Sequence, residues 1–161
     1  MSTVLIGTLL SGIAGPGGET TGFALQIGSI DCNTTHVKDA AEFVGRPCTV
    51  AGVVKEETYP TRGKVQTMVA RFIAANAQAL SRAALAEPAF LTGTLGTVER
   101  IGGEGPSGEL TGVQPDVDVS AVAYAPFVGK VVAATGKFEE KNYPLRKLVM
   151  TFKPSHLAPA K

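Results

Sequence analysis

Hydrophobic and polar positions alternate in short runs along this chain, and the runs come twice in the same order. Residues 3–10 (TVLIGTLL), 20–28 (TTGFALQIG) and 29–37 (SIDCNTTHV) read as three strands, the third the shortest. Residues 38–45 (KDAAEFVG) predict one or two helical turns, which Gly45 is suited to end in the left-handed conformation. Residues 47–57 (PCTVAGVVKEE) and 64–72 (KVQTMVARF) read as two more strands around the turn TYPTRG. The second half follows the same course, with a poorer third strand and a shorter helical piece around VAYAPFVG.

An internal repeat underlies this order. Residues 43–72 lie on 127–156 without a gap, an offset of 84 positions. The identical pairs include Phe43/Phe127, Gly45/Gly129, Gly52/Gly136, Tyr59/Tyr143, Pro60/Pro144, Arg62/Arg146 and Thr67/Thr151. Upstream, Gly7-Thr8-Leu9 matches Gly93-Thr94-Leu95, and GETTG at 18–22 matches GELTG at 108–112. Matching order and spacing over most of each half reads as a duplication, and two copies are too few for a solenoid. The division this predicts is one repeat over 1–73, a linker over 74–88 and a second repeat over 89–161. The linker is rich in Ala and Leu, which favours helix, and Pro88 ends it.

Three strands, a short helix and two strands in about 70 residues resemble the OB-fold, a small five-stranded Greek-key barrel. Gly7, Gly52, Gly93 and Gly136 fall mid-strand, where glycine marks the bends that a closed barrel needs. The fold expected is therefore mainly β: two small OB-like Greek-key barrels from an internal duplication, joined by a short helix. A single β-sandwich with the halves related by pseudo-twofold symmetry is the alternative. The GGE-TTG pattern after the first strand also looks like one in small uncharacterised bacterial proteins, a resemblance that implies no activity.

Charge adds little. Lys plus Arg total 15 against 14 for Asp plus Glu, so no global field draws the chain to nucleic acid or an anionic membrane. Hydrophobic residues make up 44%, enough for a core. The N-terminal MSTVLIGTLLSGIAG has the apolar centre of a signal peptide but no Lys or Arg before it. Its LIGTLLSG returns as LTGTLGTV at 91–98, as folded structure would. A cytoplasmic protein without a membrane partner is expected.

The candidate chemistry lies in Tyr-Pro-x-Arg, written twice. Tyr59 and Tyr143 offer stacking faces, while Arg62, Lys64, Arg146 and Lys147 offer positive charge beside the loops that flank an OB-like binding face. The competing reading is architectural: proline presets the turn, and arginine pairs with Glu56 or Glu140 across the hairpin. A second candidate is an apolar strip, Leu148, Met150 and Phe152, where the first half has Lys64, Gln66 and Met68. Glu19 and Glu109 recur in the glycine-rich loops and are expected to bond loop amides or an arginine. No catalytic set, metal site or cofactor is expected. His36 and His156 have no repeated partner, and Cys32 and Cys48 form no CxxC. The expectation is a non-enzymatic interaction or structural protein, binding a protein partner or its own copies. Weak single-stranded nucleic-acid binding across both barrels is the alternative, though ten aromatics in all give few stacking platforms.

Overall fold

The structure, a computed structural model, describes residues 2–98 and 108–160. Its strands are β1 (Thr3–Ser11), β2 (Phe23–Gln26), β3 (Gly28–Asn33), β4 (Pro47–Tyr59), β5 (Gly63–Ala74), β6 (Ala89–Thr97), β7 (Gly108–Val113), β8 (Val131–Tyr143) and β9 (Lys147–Pro159). The protein is mainly β. Among the described residues helix is confined to single 3-10 turns, and those at Ala40–Phe43 and Ala125–Phe127 are followed by left-handed Gly45 (φ 83) and Gly129 (φ 80). The second glycine-rich loop, at 102–105, lies outside the described residues.

The linker helix expected over 74–88 does not form. In its place are two turns, Ala77–Ala79 and Ala84–Ala86, with Leu80 extended between them (φ −68, ψ 138). Polar side chains break it locally: Asn76 accepts from the Ala79 amide at 3.0 Å, and Ser81 from the Ala84 amide at 3.1 Å. A helix this short is marginal on its own, and the bent path buries both Leu80 and Ala84.

The strands form a closed barrel, in the order β3-β5-β4-β6-β7, and a four-stranded sheet, β2-β1-β8-β9. Within the barrel β3 runs parallel to β5 and antiparallel to β7. Two compact units result, 28–113 and 1–27 with 114–161. They do not follow the boundaries 1–73, 74–88 and 89–161 expected from the sequence. The cause is the pairing of the first hairpin in each half. β1 ladders with β8, from Thr3↔Gly136 to Thr8↔Val131, and β6 ladders with β4, from Pro47↔Thr94 to Gly52↔Ala89. Each unit thus combines the opening hairpin of one half with the closing hairpin of the other.

The third strand of the second half is reduced, as expected, to two single bridges, Ala24↔Asp116 and Val117↔Phe152. Pro115 in this segment has no amide to donate to a ladder. Leu5, Leu9, Leu25, Val117, Val132 and Phe152 are buried in this unit, and Ile30, Val50, Met68, Leu91, Leu95 and Leu110 in the barrel.

Both long hairpins slip register next to a glycine, between Ala51 and Gly52 and between Thr135 and Gly136. A Cβ at Gly52 would lie 2.0 Å from the Val69 carbonyl oxygen, and one at Gly136 lies 2.2 Å from that of Lys153. No side chain fits there.

Candidate functional site

The repeated Tyr-Pro-x-Arg forms the tips of the two hairpins. Tyr59 pairs with Gly63 and Tyr143 with Lys147, leaving three residues in each turn. The residue after the arginine must be left-handed to re-enter the strand. Gly63 adopts φ 73 without strain, whereas Lys147 is held at φ 64.

Each arginine folds back over its tyrosine, with Cζ 5.3 Å from the Tyr59 ring centre and 5.6 Å from that of Tyr143. Beyond the ring it reaches an aspartate on the third-strand segment of its own unit. Arg62 Nη2 lies 2.7 Å from Asp31 Oδ2, and Arg146 Nη1 lies 2.6 Å from Asp116 Oδ2. Asp31 is only 4% exposed. The partners expected from sequence, Glu56 and Glu140, are not the ones used. Glu56 instead faces Lys64 at 3.9 Å, a solvent-exposed approach worth little. Nothing in either hairpin marks Asp31 or Asp116 as partners, because both lie on other segments. The available signal was an acid set among apolar residues, Asp31 in SIDCN and Asp116 and Asp118 in QPDVDV, the second pair leaving two candidates.

The first glycine-rich loop secures the second turn. Glu19 accepts from the Leu145 amide at 3.0 Å and the Arg146 amide at 2.8 Å, and its carbonyl accepts from Arg146 Nη1 at 2.6 Å. Loop amides or an arginine were the partners expected of Glu19; its carboxylate takes amides of the hairpin turn, and its backbone carbonyl meets the arginine. Tyr59 donates to the Glu57 carboxylate, a bond that together with lesser causes raises the phenol above its ordinary range. Tyr59, Tyr143, Arg62 and Arg146 are therefore held by one another and by acids. Lys64 and Lys147 are exposed.

The apolar strip is not a surface strip. Phe152 is fully buried against Phe138, its ring centre 5.0 Å away, and Leu148 and Met150 are half-buried. Met68, the residue Phe152 replaces, is equally buried, so the contrast between the halves disappears at the inner end.

Exposed apolar area lies elsewhere, at a place the sequence reading missed. Residues opposite each other in the β1–β8 ladder share a face. One face carries Leu5, Leu9, Val132 and Ala134, all buried. The other carries Val4, Ile6, Val131, Ala133 and Thr135, with Val4 42% and Val131 49% exposed. At the Val131 end this outer face runs into a hollow of about 580 Å³ lined by Pro126, Phe127, Lys130, Val131, Pro159 and Ala160. The alternation was legible in VLIGTLL, but it gave no means of telling which of the two faces is the more deeply buried.

Cys32 and Cys48 are buried free thiols of the barrel, and burial pushes Cys32 up to about 12. Among the described residues no three His, Cys, Asp or Glu side chains gather as a metal site, and no helix is long and apolar enough to cross a membrane. No protein-family model, curated protein or solved structure matches the chain, so the site rests on its geometry.

Proposed function

We propose that this is a non-enzymatic interaction protein that docks a protein partner, or its own copies, through the outer face of the four-stranded sheet. The observation that carries the reading is the half-exposed pair Val4 and Val131 on one continuous face beside the apolar hollow. Contiguous apolar surface of this kind marks contact sites on soluble proteins. Completing the burial of each half-exposed valine contributes about 1 kcal/mol. Lys130, at the edge of the hollow, adds a charge that orients a partner more than it holds one.

The Tyr-Pro-x-Arg turns fit an architectural role better than a binding one. Each arginine already faces an aspartate and covers its tyrosine, which withdraws both the cations and the stacking faces that a single-stranded nucleic acid would use. The fold reading extends in the same way. Taking β6 and β7 as the first two strands and β3, β4 and β5 as the rest, the closed barrel holds one OB-like set. β1, β2, the 116–117 bridges, β8 and β9 make up a second, thinner set. A duplication whose two copies trade opening hairpins accounts for both. Two buried free thiols suit a reducing, cytoplasmic compartment.

Binding of an environment-sensitive apolar dye to the native protein tests the docking face. The fluorescence gain with wild type should fall sharply with Val131→Glu at unchanged thermal midpoint. Dye binding that ignores this substitution, or is absent, contradicts the reading.

A further inference from the structure

Both long hairpins carry the same bulge, and the residue it releases differs. Ala51 pairs with Phe72 and Gly52 with Ala70, which leaves Arg71 as the extra residue on β5. Thr135 pairs with His156 and Gly136 with Pro154, which leaves Ser155 on β9. A bulge re-aims the side chain it releases. In the barrel that side chain is a guanidinium, and with Phe72 and Ile73 it lines a hollow of about 320 Å³. Arg71 is half exposed. Its ion-pair partner among the described residues, Glu87, lies 3.6 Å from Nε, too far for a hydrogen bond and worth little at the surface.

The other walls come from two segments, each tied down by its own polar side chains. After β3, Asn33 Oδ1 accepts from the Thr35 amide at 3.0 Å and from the Thr35 hydroxyl at 2.8 Å, and the Val37 amide donates to the Thr34 carbonyl at 3.0 Å. This turn brings His36 and Lys38 to the hollow. On the linker, Asn76 holds the Ala79 amide and Ser81 the Ala84 amide, which fixes the buried Leu80 at its edge. Among the described residues Lys38 has no ion-pair partner. Asp39 lines the same hollow, so Lys38 and Arg71 against Asp39 leave one positive charge with His36 neutral.

We infer that this hollow binds a small organic carboxylate, an apolar or aromatic body bearing one acidic head. The Arg71 fork and the Lys38 ammonium, from two separate segments, take the carboxylate. Val37, Phe72 and Leu80 supply the apolar contact for the body. The single excess positive charge matches a monoanion, whereas a more highly charged phosphate ester meets Asp39 at a greater cost. A volume of about 320 Å³ is at the small end for ligand pockets, which limits the body to roughly one ring. Ser155 stands in the matching bulge of the other unit and carries no charge for such a head, so the inference concerns the barrel alone. It is independent of the docking reading above.

The test titrates the full chain, isotope-labelled at its methyl groups, with phenylacetate and with its neutral counterpart phenylacetamide. Phenylacetate should give saturable shifts at the Val37, Ile73 and Leu80 methyls, and phenylacetamide should bind at least tenfold more weakly. Lys38→Gln, a change on an exposed turn, should weaken phenylacetate severalfold at an unchanged thermal midpoint, and Arg71→Gln should weaken it further. Asp39→Asn should tighten it, because a like charge leaves the wall. No saturable shift at these methyls at millimolar phenylacetate overturns the inference. Equal binding of the amide overturns it too, as does affinity that ignores both Lys38→Gln and Arg71→Gln.

Discussion

Arg62 Nη2 lies 2.7 Å from Asp31 Oδ2, joining the tip of the β4–β5 hairpin to β3 across the barrel wall. Removing the guanidinium leaves a carboxylate that is 4% exposed without its charge partner. Arg62→Met should cost about 2–3 kcal/mol in urea unfolding, toward the low end for a buried pair because the arginine is partly solvated. The double variant with Asp31→Asn should recover part of that loss, since the two residues act on one interaction. Equal, additive losses would show that the pair is not coupled.

Lys147 holds a left-handed backbone at φ 64, where the other hairpin has Gly63. Lys147→Gly should stabilise the protein by about 0.5–1 kcal/mol, the relief of the Cβ clash less the added freedom of glycine in the unfolded chain. Gly63→Lys should have the opposite sign. Equilibrium denaturation of both variants checks the pair.

Glu19 accepts from two amides of the second turn. Glu19→Ala should speed hydrogen exchange at Leu145 and Arg146 and cost about 1–2 kcal/mol, while leaving the first turn's amides unchanged. Uniform acceleration across both hairpins would assign the loss to the fold as a whole.

Burial raises Cys32 from 9.0 to about 12. A folded-state value above the unfolded one means that the native protein holds the proton more tightly. The stabilisation is complete below pH 9 and is lost as pH rises toward 12, at about 1.4 kcal/mol per unit. Cys32→Ala should flatten that part of the profile relative to wild type, whatever its effect at neutral pH. An unchanged slope would mean that the thiol ionises freely in the folded state.

Much of the fold was legible because its signals are local. Alternation in VLIGTLL, the glycines at 52 and 136, and the left-handed Gly45 each dictate backbone within a few residues. Which hairpin pairs with which half was not legible. GTLLSG and GTLGTV are so alike that their pattern does not say which belongs beside β4 and which beside β8; the structure pairs β1 with β8 and β6 with β4. The linker failed for a related reason: its Ala-rich composition favours helix, but burying Leu80 and Ala84 on the barrel requires a bent path. At the candidate site, the repeat drew the eye to residues that hold the turns. The exposure of Val4 and Val131 depends on packing between distant segments, which the local pattern does not record.

Light scattering coupled to size exclusion, with and without a mixed-sequence single-stranded oligonucleotide at low and moderate salt, tests the central claim most directly. The account predicts a mass that the oligonucleotide does not change, and any assembly above the monomer should dissolve with Val131→Glu but persist with Lys64→Ala. A monomer that moves onto the oligonucleotide, leaves it as salt rises, and loses that binding with Lys64→Ala would contradict the account and return function to the hairpin tips.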